Sequence, residues 1–180
     1  MVSIVKHRTL VLALVTALSA PSMLAHATVV IPLSVQTLAQ DSELIVIVKP
    51  GDQTSFWREG RIVTHTRAKV REVWKGRISK GQYLNVETLG GVVDGIGQRV
   101  IGAASLSPTM PYLLFLVSSG HDSWRALGMN QGVFPIRRDG EDTLTKVPAS
   151  LSRSFAVPEL PPKQTVNLLG LKNEVLGWLR

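Results

Sequence analysis

The stretch "IVTHTRAKVREVW", residues 62–74, alternates polar and apolar residues along most of its length. Ile62, Thr64, Thr66, Ala68, Val70 and Trp74 fall on one side. His65, Arg67, Lys69 and Arg71 fall on the other, with Val63 and Val73 at the ends. Successive side chains of a strand point to opposite faces, so this period of two predicts one long strand with a dry and a wet face. Lys75-Gly76 ends it. Upstream, "ELIVIVK" (Glu43–Lys49) is a continuous apolar run rich in β-branched residues, which predicts a strand buried on both sides. Pro50-Gly51-Asp52 reads as a turn, which leaves Phe56-Trp57 on the loop behind it. Before that strand, Ser34 is placed to cap a short helix over Val35 to Gln40.

Downstream, Tyr83–Leu89 and Pro111–Val117 ("PYLLFLV") read as further strands. Trp124–Met129 and Gly132–Arg138 read as a hairpin across Asn130-Gln131. Residues 148–162 carry four prolines and no periodicity, which marks a surface connection. In residues 163–180, Leu168, Leu171, Val175 and Trp178 recur at helical spacing. Gly170 and Gly177 weaken that helix, so it depends on docking. The expected fold is mainly β, with a short N-terminal helix and an amphipathic C-terminal helix. Residues 28–147 would form a small antiparallel OB-type barrel on which residues 163–180 dock.

Residues 1–27 read as a cleaved signal peptide. Lys6 and Arg8 precede the apolar run Thr9–Ala20, Pro21 breaks it, and Ala25-His26-Ala27 is a cleavage pattern. A predominantly apolar run of twelve residues is too short to span a bilayer. The expected product is an exported chain, periplasmic or extracellular, that begins at Thr28 and has no membrane span. Loss of the leader lowers the formal charge from +7 to +5, which is mildly basic and short of a dedicated nucleic-acid binder. There is no Cys, which excludes disulfides, thiolate chemistry and thiolate metal sites.

The candidate chemistry is sparse. "LGGVVDGIGQRVIGA" (89–103) looks like a phosphate-binding loop, but the third glycine of the dinucleotide pattern is replaced by Val100. Pro108 and Pro111 also preclude a helix behind it, so the segment reads as a glycine-jointed connection with a short strand at Arg99–Ile101. His121-Asp122-Ser123 is a triad only on paper, because triads assemble from separate segments. No metal cluster, paired carboxylates or activated nucleophile emerges, and neither a cofactor nor an enzyme is expected. Two binding features stand out. His65, Arg67, Lys69 and Arg71 form a basic stripe without interleaved aromatic residues, suited to an anionic glycan or envelope surface. Phe56-Trp57 offers aromatic anchors for a protein partner.

From Thr28 onward, "TVVIPLSVQTLAQDSELIVIVK" resembles the opening of the tissue inhibitors of metalloproteinases and of the netrin-like domain they share. The matching residues are Pro32, Gln36-Thr37, Ser42-Glu43-Leu44-Ile45 and Lys49. Val70–Gly76 resembles the end of the family's second strand, and the order of strand, hairpin and C-terminal helix also matches. Exported bacterial proteins with a Gly-Gly loop and a G-x-x-Q-G-x-F hairpin are similar too, through Gly128, Gln131, Gly132 and Phe134. The resemblance implies a netrin-like OB barrel that modulates another exported protein, a zinc endopeptidase, without nucleic acid. It implies contact through Thr28, Val29 and Val30, with the α-amine and carbonyl of Thr28 on the protease zinc. Phe56 and Trp57 would add contacts at the rim. Thr28, Val30 and Gln40 stand where the family's cysteines are expected.

Overall fold

A computed structural model of the chain describes residues 32–120, 122–139, 142–146 and 165–180. The expected signal segment 1–27, Thr28, Val29, Val30, His121 and the expected Pro-rich connection 148–162 lie outside the described residues. The fold is mainly β with two helices, α1 (Val35–Asp41) and α2 (Leu168–Trp178). The strands are β1 (Leu44–Arg58), β2 (Arg61–Lys75), β3 (Tyr83–Leu89), β4 (Gly91–Val93) and β5 (Ile96–Gln98). They continue with β6 (Tyr112–Gly120), β7 (Ser123–Ala126), β8 (Val133–Asp139), β9 (Asp142–Lys146) and β10 (Thr165–Asn167).

The strand order is β1-β2-β3-β7-β6-β8-β9-β10, and β1 also pairs with β6. The pairings β1-β2-β3-β7-β6 therefore return to β1. Every pair in that circuit is antiparallel except β3 with β7, which is parallel. β4 and β5 form a separate hairpin.

The long strand predicted from residue 62 is present, and its dry residues Ile62, Thr66, Ala68 and Val70 are buried. Its alternation breaks near the end. A register shift against β1 turns Val73 toward the Ala68–Val70 side and Trp74 toward the other. Trp74 thus leaves the face to which its spacing assigns it. The apolar run of β1 serves two cores, as a strand buried on both sides must. Leu44, Val46 and Val48 join the interior cluster with Val86 and Leu114. Ile45 and Ile47 face a second cluster that α1 and α2 cover with Leu38, Leu171 and Val175.

The helices are held by specific bonds as well as by burial. The Ser34 hydroxyl accepts from the Thr37 amide at 3.0 Å, the expected N-cap. Lys75 Nζ donates to the Ala39 and Gln40 carbonyls at 3.0 and 2.9 Å, filling orphan acceptors at the end of α1. Asn167 Oδ1 caps α2 by accepting from Leu169 and Gly170. This helix begins at Leu168, after β10, and not at residue 163. Glu72 pairs with Lys172 at 2.6 Å and accepts from Trp74 Nε1 at 2.9 Å, which ties β2 to α2.

Three expectations need correction. Pro50-Gly51-Asp52 makes no turn, because β1 runs through it with a register shift opposite Ala68 and Thr66. Pairing with β6 ends at Val48, so a proline that lacks a donor is accommodated where only β2 is beside it. Phe56 and Trp57 are consequently strand residues opposite Val63 and Ile62. Second, β7 and β8 are not a hairpin. Leu116 pairs with Leu44 and Ala126, and Leu114 with Val46 and Val133, so β7 and β8 follow each other along the edge of β6 that faces away from β1. A 3-10 turn at Met129–Gly132 separates them. Third, the short strand expected at Arg99–Ile101 is displaced by the β4–β5 hairpin. Its turn is Asp94-Gly95, both with positive φ (49° and 78°), the conformation that favours Asp-Gly in tight hairpins.

Candidate binding face

The cross-strand register decides what the basic stripe becomes. On the wet face of β2, Lys69 lies opposite Lys49 of β1 and Tyr83 of β3, and Arg67 lies opposite Asn85. The Arg67 guanidinium stacks over the Tyr83 ring, 4.1 Å from its centroid, and Lys69 Nζ is 5.7 Å from the same centroid. Tyr83 stays 52% exposed. Arg67, Lys69 and Arg71 are exposed, and among the described residues none of them enters an ion pair. The stripe therefore has an aromatic partner that its own strand does not contain. Sequence reasoning missed Tyr83 because its neighbours are set by pairing between strands, and no local motif reports that register.

His65 departs from the stripe. Its Nε2 lies 3.0 Å from Glu87 Oε2 across the β2–β3 pair, and Arg58 pairs with the same carboxylate oxygen. The His65 ring meets Phe56 edge-on with centroids 4.9 Å apart, and Arg58 lies over Phe56 at 5.2 Å. Burial alone would raise the Glu87 pKa, but the bonds from His65 and Arg58 and their charges outweigh it and hold the carboxyl below its ordinary value. The Ser123 hydroxyl completes the group at 3.4 Å from Glu87 Oε2 and donates to the Gly120 carbonyl at 2.8 Å.

Serine, histidine and glutamate thus meet here, but in the wrong order for acyl transfer. A nucleophilic hydroxyl needs the imidazole as its base, with the carboxylate behind the imidazole. Here the carboxylate stands between the two. The cluster acts as a cross-strand lock that removes His65, Arg58 and Phe56 from the pool of free binding groups. Of the expected aromatic anchors, only Trp57 is largely open, at 48% exposure. Among the described residues, no three His, Cys, Asp or Glu side chains are grouped to hold a metal. Among them, too, no helix is long and apolar enough to cross a membrane.

Leu33, at the start of the described chain, donates its amide to Gln131 Oε1 at 2.7 Å. Leu33 therefore lies beside the 3-10 turn, whereas Phe56-Trp57 lie near the far end of β1. No protein-family model, curated protein or solved structure matches this chain at a significant level.

Proposed function

We propose that this chain is an exported, non-enzymatic binding module that takes an anionic polysaccharide on the outward face of β2 and β3. The observation that carries the reading is the exposed set Arg67, Lys69 and Arg71, in no ion pair among the described residues, with Arg67 stacked on the half-exposed Tyr83 ring. Sugar rings pack on aromatic faces, and acidic groups spaced along a polymer pair with a row of cations. The scaffold we assign is a small OB-type barrel of the netrin-like kind. The five-strand pairing circuit with its parallel β3–β7 step favours it. The test is retention on an immobilised uronate polymer over a salt gradient. Arg67→Ser/Lys69→Ser/Arg71→Ser is expected to weaken binding about tenfold or more, and salt is expected to elute the wild type. Salt-insensitive binding, or equal binding by the triple variant, overturns the reading.

A second reading, modulation of a zinc endopeptidase by Thr28, Val29 and Val30, is favoured by the Leu33–Gln131 bond. That tether anchors the segment behind those residues and lowers the entropy lost on docking. In this reading the mature chain with a free Thr28 inhibits, and the same chain with one extra residue in front does not. Equal potency of the two forms, or no inhibition by either across a panel, removes it.

A further inference from the structure

The β4–β5 hairpin borders an open cleft of about 1230 Å³ on the inward side of the β1–β2 hairpin. Its floor includes Leu106, Tyr112 and Val133, all buried in the interior cluster. Its lip includes Val92 and Ile101, which are 66% and 72% exposed. Two cations, Arg99 and Arg137, also border it, and among the described residues no carboxylate does.

The polar groups of the wall are largely spent on one another. Gln53 Nε2 donates to Thr66 Oγ1 and the Leu106 carbonyl. The Ser55 and Thr64 hydroxyls bond each other, and Thr64 also donates to the Gly90 carbonyl. Gln98 Oε1 accepts from the Ile62 amide, and the Tyr112 hydroxyl accepts from the Ser107 amide. Arg99 and Arg137 differ: both are exposed, and among the described residues neither is in an ion pair.

A guanidinium without a counter-ion suits a carboxylate, which it can grip through two parallel bonds. Aliphatic side chains left in water at the lip suit an apolar body that covers them. The volume exceeds the roughly 300–1,000 Å³ common for small-molecule sites, so a single acyl chain fits without repacking the core. A polysaccharide would leave the apolar lip and floor unmatched. We infer that this cleft binds a single-chain amphiphilic carboxylate, with its head at Arg99 and Arg137 and its chain along Val92, Ile101 and the Leu106–Val133 floor. The site is separate from the outward basic face and does not depend on it.

Calorimetric titration of the full chain with octanoate and dodecanoate, each below its micelle concentration, tests this. Saturable binding that tightens with chain length is expected, with octanol and acetate both weaker. Arg99→Ala/Arg137→Ala is expected to weaken dodecanoate binding about tenfold or more, and Val92→Glu to act in the same direction. These positions are exposed, so the fold is retained, which circular dichroism checks. Arg67→Ser/Lys69→Ser/Arg71→Ser should leave dodecanoate binding unchanged. The inference is overturned by the absence of saturable binding or by equal affinity in the double arginine variant. Loss of binding in the basic-face variant, or response only to anionic vesicles and not to monomeric dodecanoate, overturns it as well.

Discussion

Phe115→Ala is expected to lower the free energy of unfolding by about 3–5 kcal/mol. Phe115 is fully buried in the middle of β6, opposite Ile45 of β1, and meets Phe134 of β8 edge-on with centroids 5.4 Å apart. It lies where β1, β6 and β8 meet the helices, in the cluster that contains Leu38 and Leu171. Removing the ring leaves a void that fixed strands on both sides of β6 cannot close, so the cavity cost adds to the lost transfer energy. Against a typical total of about 5–15 kcal/mol this is a large fraction. Denaturant unfolding followed by tryptophan fluorescence measures it, since Trp74 belongs to the same cluster. Val92→Ala, at a position 66% exposed, should stay within about 0.5 kcal/mol of wild type. A Phe115→Ala cost near that of Val92→Ala would mean that the second cluster contributes little to stability.

Gly90→Ala is expected to cost about 2 kcal/mol or more, while Gly97→Ala in the same glycine-rich segment should be nearly neutral. Gly90 has a φ of 94°, and a Cβ there would stand 2.6 Å from the Gln98 carbonyl oxygen. Left-handed backbone costs an L-residue about 1–2 kcal/mol, and the clash is with backbone that cannot rotate away. Relief requires Gln98 to move, yet its side chain holds the Ile62 amide of β2 at 2.6 Å. A methyl at Gly90 therefore strains the hairpin and the long strand together. Gly97 has ordinary φ, and its nearest neighbour would be Val92 Cγ2 at 3.9 Å. Thermal unfolding of the two variants decides the matter, and equal midpoints would rule out this role for Gly90.

These glycines show where sequence reading succeeds and where it stops. The sequence "VDGI" at 93–96 carries a short-range hairpin signal, an Asp-Gly pair between apolar residues. The glycine spacing of the same segment mimics a phosphate-binding loop, and the second arm of the hairpin lies at Ile96–Gln98, ahead of the expected Arg99–Ile101. The absence of a nucleotide-type helix behind it was legible from Pro108 and Pro111. The close packing of Gly90 on Gln98 was not, because it depends on how the hairpin folds back.

The same division holds elsewhere. Local chemistry determined β2, the apolar runs of β1 and β6, the Ser34 cap and the two helices, since periodicity and capping act between near neighbours in the chain. Tertiary structure decided the rest. It placed β7 and β8 on one edge of β6, where the sequence suggested a hairpin, because both segments have strand character and only the free edge determines which partner they take. It carried β1 through Pro50, because the long ladder of β2 supports a residue without a donor. It drew His65 out of the basic stripe and into the Glu87 lock, and it brought Tyr83 under Arg67. By itself the sequence determined which faces are apolar and which are charged. Only strand register, set by pairing between distant segments, decided which charges are neutralised and which remain open to a ligand.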